Sequence, residues 1–278
     1  MAHALQSHWR GQHARKEARM QEGMLSSLFG ALTNEHRMNN ISNNLANVNT
    51  TGYKRDVISF KDTMQLFAHD QIMEPIANVR SKKLFPEPMH VARPRIAVAH
   101  TDFEQGSMRY TGNPLDVAIS GNAFFKVRTP EGEFYTRNGN FIQTADGQLV
   151  TAMGHAVQGD GGDIALPPGE AVQISDDGQI FAGGALVGQL NMVTVNDLTA
   201  LEKLGGNMYR LRPGSNAGEV PAERAYVAQG YLEASNVEVV SEMVNMIEAQ
   251  RQFEAYQKVM QTTDSIDREA TQKVGKKV

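Results

Sequence analysis

Apolar residues recur at two different periods along the 278-residue chain, and each change of period marks a change of element. Over residues 24–50, Met24, Leu28, Ala31, Met38, Ile41, Leu45 and Val48 stand mostly three or four apart. That spacing puts side chains on one face of an α-helix. Thr50-Thr51-Gly52 interrupts the pattern, and Gly52 sits where a left-handed residue stops a helix. The helical period returns after Ser235-Asn236-Val237-Glu238, which has the form of a capping box. Val239, Met243, Met246, Phe253, Tyr256 and Met260 follow at similar steps, with no Gly or Pro over residues 231–274. A helix over Asn236–Ala270 would be on the order of 50 Å long, more than a globular core usually holds, and points to a coiled-coil partner.

Between these ends the period falls to two. Val117-Ala118-Ile119, Phe124-Phe125-Lys126-Val127, Phe134-Tyr135-Thr136 and Gln148-Leu149-Val150 read as short strands, with further strands at 172–174, 179–182, 186–195 and 207–211. Gly112-Asn113-Pro114, Ser120-Gly121-Asn122, Pro130-Glu131-Gly132, Asn138-Gly139 and Asp146-Gly147 are turn signals between them. Residues 53–100, punctuated by Pro75, Pro86, Pro88 and Pro94, read as an extended connector. Residues 1–19 are polar, with three His and four basic residues, and are expected to be a disordered or non-native extension ahead of a natural start at Met20. The expected class is α+β. An N-terminal helix (20–52) and a C-terminal helix (229–278) pair as a coiled-coil-like inner domain, and the connector leads to a central all-β module (101–228).

The first helix contains a conflict. Seven of the sixteen residues from Asn34 to Asn49 are asparagine, which bonds to its own backbone and weakens helices. Asn40, Asn44 and Asn47 each precede a stripe residue and line its edge, while Asn39 and Asn43 lie farther round. Amides beside an apolar seam can bond across to a neighbouring helix and set its register. Leu28, Met38, Ile41, Asn43, Asn44, Leu45, Asn47 and Val48 are therefore expected at a subunit interface. Val239, Met243, Met246, Phe253, Tyr256 and Met260 would supply the C-terminal side of it.

Composition narrows the function by exclusion. Net charge is −4, so no basic field invites nucleic acid. No apolar run approaches the ~18–20 residues that cross a bilayer, so stable membrane insertion is not expected. Cysteine is absent, which removes disulfides, thiolate metal sites and cysteine nucleophiles together. The sequence has no G-x-S-x-G, H-E-x-x-H, P-loop or spaced His set. Gly159-Asp160-Gly161-Gly162-Asp163 could be imagined as a calcium or phosphate loop, but it occurs once and lacks a downstream Glu ligand, so it reads as a solvated turn. Asp176-Asp177 before Gly178 is again a turn, and His36 near the helical stripe has no second ligand at a useful spacing. No catalytic residue, cofactor or metal is expected.

Three stretches carry a family resemblance. NNISNNLANVNTTGYKR (39–55) resembles the N-terminal signature of the axial proteins of the bacterial flagellum, the rod and hook proteins. GSMRYTGNPLDVAISGNAFFKVRTPEGEFYTRNGNFIQTADGQLV (106–150) resembles the hallmark of their β domain, and residues 229–267 are similar to their C-terminal helix. The resemblance singles out Thr111, Gly112, Asn113, Pro114, Leu115, Asp116, Gly121, Phe124, Phe125, Tyr135, Thr136, Arg137, Gly139 and Phe141 as the β-domain motif. It implies a structural, non-enzymatic subunit of the basal-body rod in the periplasm, which leaves the cytoplasm through the type III export apparatus without a cleaved signal. Its partners would be its own copies and other axial proteins, and its terminal helices would order on helical assembly into a torque-transmitting shaft. The chain is short for a hook protein and lacks a Gly-rich stretch between Lys54 and Phe103, which favours the proximal rod over the distal rod or hook. The reading from a different class is a ligand-binding or enzymatic β domain with helical oligomerisation ends.

Overall fold

Both periods found in the chain become elements of the matching kind. The structure, a computed structural model, describes residues 2–66, 90–222 and 224–275. The order begins α1 (Ala2–Ala46), β1 (Asp56–Leu66), β2 (His90–Thr101), β3 (Met108–Tyr110), β4 (Val117–Ser120), β5 (Phe124–Thr129) and β6 (Gly132–Thr136). It continues with β7 (Phe141–Gln143), β8 (Leu149–Thr151), β9 (Ala156–Gly159), β10 (Gly162–Asp163), β11 (Val172–Ile174), β12 (Gln179–Ala182) and β13 (Ala185–Gln189). The last elements are β14 (Met192–Val195), β15 (Leu201–Gly205), β16 (Met208–Leu211), β17 (Glu219–Pro221), β18 (Tyr226–Gln229), β19 (Tyr231–Glu233) and α2 (Val239–Gly275). The class is α+β. Of the expected connector, β1 and β2 form a two-stranded sheet, while Pro75, Pro86 and Pro88 lie outside the described residues.

The chain divides into two compact units. One comprises Met1–Asn40, Ile58–Ala99 and Val244–Val278; the other comprises Ile41–Val57 and His100–Met243. The second unit is built on a sheet that runs β15-β16-β6-β5-β9-β8-β7, with β10 on β9, β14 on β5 and β17 on β14. β5 and β6 are a hairpin in register from Phe125↔Thr136 to Thr129↔Gly132, turning through Pro130-Glu131. Adjacent residues of a strand point to opposite faces. Phe125 and Phe134 accordingly join one buried cluster, with Val117, Ile119, Val127, Phe141, Leu149, Val157 and Ile180. Their neighbours Phe124 and Tyr135 join another, with Phe103, Val193, Val195, Leu201 and Tyr209. Apolar contact on both faces explains why Phe124-Phe125-Lys126-Val127 does not alternate cleanly.

In the helical unit, α1 buries a strip of small and short residues, Ser27, Gly30, Ala31 and Asn34. A Cβ on Gly30 would stand 2.5 Å from the Tyr256 ring, so that ring lies directly on the glycine and the two helices approach closely there. Arg37 and Glu248 approach to 4.0 Å beside this seam. On α2, Ala249 is buried, and Met246, Phe253, Tyr256 and Met260 are half-buried. Within the chain the seam is therefore a strip of small residues, and Leu28 and Met243 are exposed.

The helix ends differ from expectation. The backbone of α1 is helical from Ala2, so residues 2–19, expected as a disordered extension, belong to that helix. Its other end is at Ala46, six residues before Gly52. The asparagines bring this about. The Asn47 side chain donates to the Asn43 carbonyl (2.8 Å), its N–H is shared between the Asn43 and Asn44 carbonyls, and Val48 N–H turns back to Leu45. Gly52 does adopt φ +67°, but not to stop the helix: a Cβ there would stand 2.6 Å from the Asn138 nitrogen. At α2 the Glu238 carbonyl accepts the first helical N–H, from Glu242 (3.0 Å). Ser235 Oγ accepts from Val237 N–H in a local turn, so the capping box is not made.

Because Tyr256 rests on Gly30, Gly30→Leu should destabilise the helical unit by about 1–3 kcal/mol through overpacking, although Leu exceeds Gly in helix propensity by roughly 0.8 kcal/mol. Thermal melting followed at 222 nm checks this. Unchanged or raised melting would show that the helices do not meet at this glycine.

Candidate functional site

Lys54, Arg137 and Glu233 are charged residues from three distant parts of the chain, yet each side chain is at most 1% exposed. Lys54 follows α1, Arg137 follows β6, and Glu233 ends β19. The Lys54 ammonium donates to Glu233 Oε1 at 2.6 Å and to the Glu104 carbonyl at 2.6 Å. Gly106 N–H donates to the same Oε1 (2.9 Å). Glu233 Oε2 faces Arg137 Nη1 at 3.5 Å. Arg137 Nη2 donates to the Gly121 carbonyl at 2.6 Å, and the guanidinium lies 5.1 Å above the centre of the Phe124 ring. Burial pulls both cations below their ordinary pKa values, and Glu233 pulls each back up.

A ring of backbone-directed bonds encloses this cluster. Gly52 N–H donates to the Glu233 carbonyl (2.8 Å), and Asn207 Nδ2 to the Thr51 carbonyl (2.8 Å). Lys203 donates to the Lys54 carbonyl and to Asp56, both at 2.9 Å, with its ammonium 3.9 Å from the centre of the Tyr53 ring. Asn236 accepts from Arg55 N–H (2.8 Å) and donates to the Asp102 carbonyl (2.9 Å). Asn44, 2% exposed, donates to the Asp56 carbonyl and accepts from Asp56 N–H, both at 3.0 Å. It also accepts from the Tyr53 hydroxyl, whose pKa burial raises to about 12, with Asp56 and Glu242 adding to the shift. Asn44 therefore makes these bonds inside its own chain. Of the other N-terminal candidates, Ile41 is buried, Met38, Leu45, Asn47 and Val48 are half-buried, and Asn43 is exposed. Val239 at the start of α2 is half-buried.

The β-domain motif residues hold the β module together. The Thr111 and Gly112 N–H groups donate to the Gly230 carbonyl, and Pro114 O accepts from Gln229. Asn113 and Asn140 both donate to the buried Asp116 carboxylate, and Leu115 packs against the main core. Thr136 Oγ1 donates to the Asn207 carbonyl (2.8 Å), and the Tyr135 hydroxyl donates to Glu219. Phe125 and Phe141 meet edge to face at 5.1 Å between ring centres. A Cβ on Gly139 would stand 1.6 Å from the Val117 carbonyl oxygen, so glycine is the residue that fits. The arrangement can hold chain segments together.

Comparison with known proteins divides along the same three segments. A family model described as "Flagella basal body rod protein" matches residues 29–54, which end on Lys54. "Flagellar hook protein FlgE/F/G D1 domain" matches 118–182, which hold Arg137, and "Flagellar basal body rod FlgEFG protein C-terminal" matches 228–273, which hold Glu233. Over its length the chain is 34% identical to the flagellar basal-body rod protein FlgF of Caulobacter vibrioides, covering 92% of this chain and 99% of the relative. The chain belongs to the flagellar basal-body rod family. It is also 32% identical to the rod proteins FlgG of Borreliella burgdorferi (89% of this chain, 96% of the relative) and of Bacillus subtilis (87% and 97%). These relatives are rod proteins and not enzymes. Among the described residues of this rod protein, no helix is long and apolar enough to cross a membrane.

Sequence reasoning missed Lys54 and Glu233 as site residues and reached Arg137 only through its motif. The available signal was faint. Glu233 stands in Tyr-Leu-Glu-Ala, a charge in an otherwise apolar run, and nothing in one dimension pairs it with Lys54.

Two outcomes follow. Glu233→Leu alone should cost about 3–5 kcal/mol in urea unfolding, because it leaves two buried cations unpaired, whereas Lys54→Met/Arg137→Met/Glu233→Leu together should recover most of that loss. The second concerns acid. Burial alone would raise the Asp102 carboxyl, but the Glu104 N–H and the Arg55 guanidinium (2.7 Å) hold it below the ordinary value. Its stabilisation is therefore present above about pH 4 and lost as pH falls through the lower folded value. Asp102→Asn should be less stable than the parent at pH 7, with the gap closing below about pH 4 in pH-dependent melts.

Proposed function

We propose that this chain is a structural subunit of the proximal rod that polymerises helically through its terminal helices into a hollow, torque-transmitting shaft. The observation that carries this reading is that each terminal helix has a second apolar face. On α1, Leu25, Leu28 and Leu32 are exposed, on the side away from Ser27, Gly30, Ala31 and Asn34 at 3.6 residues per turn. On α2, Val240, Val244 and Ile247 are exposed, opposite Ala249, Phe253 and Tyr256. A helix apolar on two sides is satisfied only when both are covered. One face serves the chain itself; the other is available to neighbours.

Two unlike outward faces favour head-to-tail contacts, which build an open helix of subunits instead of a closed dimer. Asn39 and Asn43, also exposed, continue the outer side of α1 and could bond to a neighbour's backbone. The missing Gly-rich stretch between Lys54 and Phe103 supports the proximal rod over the distal rod. Export through the flagellar type III apparatus without a cleaved signal belongs to the same reading, as does a location spanning the periplasm. The coiled-coil-like pairing of the terminal helices in the assembled rod does too.

Leu28→Asp and Ile247→Asp put a charge on faces that are exposed in the single chain, so each should leave monomer stability within about 0.5 kcal/mol of the parent. Each should nevertheless abolish swimming in soft agar, since assembly would bury an unpaired charge. Normal motility of both variants would remove these faces from the assembly. A tagged copy located in purified basal bodies decides proximal from distal.

A further inference from the structure

Glu233 is one carboxylate shared by two cations that belong to different segments, 179 and 96 residues away in the chain. The cluster therefore carries two positive charges against one negative. This imbalance makes its two possible openings unequal. If residues 51–56 leave, Lys54 goes with them, and Arg137 and Glu233 remain as a matched pair. If residues 231–236 leave, Glu233 goes, and Lys54 and Arg137 are left facing each other without a counter-charge. Breaking a buried pair by removing one partner is strongly unfavourable, and leaving two like charges is worse.

The surrounding bonds differ in kind. Residues 51–56 are held by side chains, Asn207 to Thr51, Lys203 to Lys54, Asn236 to Arg55 and Asn44 to Asp56, and by separate backbone bonds, from Gly52 N–H to the Glu233 carbonyl (2.8 Å), Asp102 N–H to the Arg55 carbonyl (2.9 Å) and Asn236 N–H to the Tyr53 carbonyl (3.4 Å). Residues 231–234 are instead a strand in register with β3, Tyr231↔Tyr110 to Glu233↔Met108, and Ala234 N–H continues the ladder to the Ser107 carbonyl (2.8 Å). The backbones are pressed together there: a Cβ on Gly106 would stand 2.0 Å from the Ala234 carbonyl oxygen.

We infer that the chain orders its two ends in a fixed sequence: the lead-in to α2 stays docked on the β module, and the segment leaving α1 docks last and releases first. Glu233 is the positioning residue that sets this order. The inference rests on the reading of the terminal helices as the assembling elements, and it makes the N-terminal helix the one that joins a growing structure after the C-terminal lead-in is in place.

Native-state hydrogen exchange on the soluble full chain tests it independently of assembly. The N–H groups of Gly52, Arg55 and Asp56 should exchange at least tenfold faster than those of Gly106 and Ala234, with Val127 and Phe134 in the β core slower still. Lys54→Met/Arg137→Met/Glu233→Leu should bring the two sets within about threefold of each other. Equal or reversed exchange of the two sets in the parent chain would overturn the order. A tenfold gap that persists in the triple variant would overturn the charge imbalance as its cause. Motility of Leu28→Asp and Ile247→Asp bears separately on the assembly reading, so the two can fail independently.

Discussion

A single carboxylate with two buried cations around it ties together three segments of the β module that are far apart in the chain. Removing three charges from water is costly, and the cost is recovered only if every partner is in place. Glu233 meets that condition with Lys54 on one oxygen, Arg137 facing the other, and the Gly106 N–H as a further donor. Lys54 in turn reaches the Glu104 carbonyl and Arg137 the Gly121 carbonyl. Such a cluster adds little net stability compared with apolar packing of the same volume, whereas breaking it one partner at a time is costly. It favours this arrangement of its three segments over one in which a partner is missing.

The helical unit follows a different logic. Gly30 and its small neighbours let Tyr256 approach α1 within the chain, while the large residues Leu25, Leu28 and Leu32 face outward. A monomer optimised for its own stability would turn those leucines inward. An assembling helix can hold them back for its neighbours, and the asparagine content of α1 is consistent with that division. Some amides act locally: Asn47 closes the last turn, and Asn44 bonds both backbone groups of Asp56. Asn43 stays on the outside. The weak helix former is thus used partly to end the helix and partly to decorate an outer face.

Much of the architecture could be read in one dimension. The helical period placed both long helices, the turn signals placed the short strands, and the three quoted stretches identified the family. One error is informative. Gly52 looked like a helix stop because a glycine after an apolar run usually is one; here the left-handed residue is needed where the chain passes against Asn138, and the stop is made upstream by Asn47. Leu28 and Met243 are exposed in the single chain, and periodicity shows that a face is apolar without saying which of two apolar faces turns inward.

The amino-acid sequence by itself determined the class of each element, the absence of cysteine chemistry and membership of the rod family, because these depend on local spacing and on stretches of contiguous residues. Tertiary structure alone decided that Lys54, Arg137 and Glu233 form one cluster, that Asn44 serves its own chain, and that Gly30 is where the helices touch. Each of these is a contact between residues far apart in the chain. Hydrophobic periodicity has no term for such a contact, because a charged residue reads as solvent-facing until the partner that lets it be buried is known.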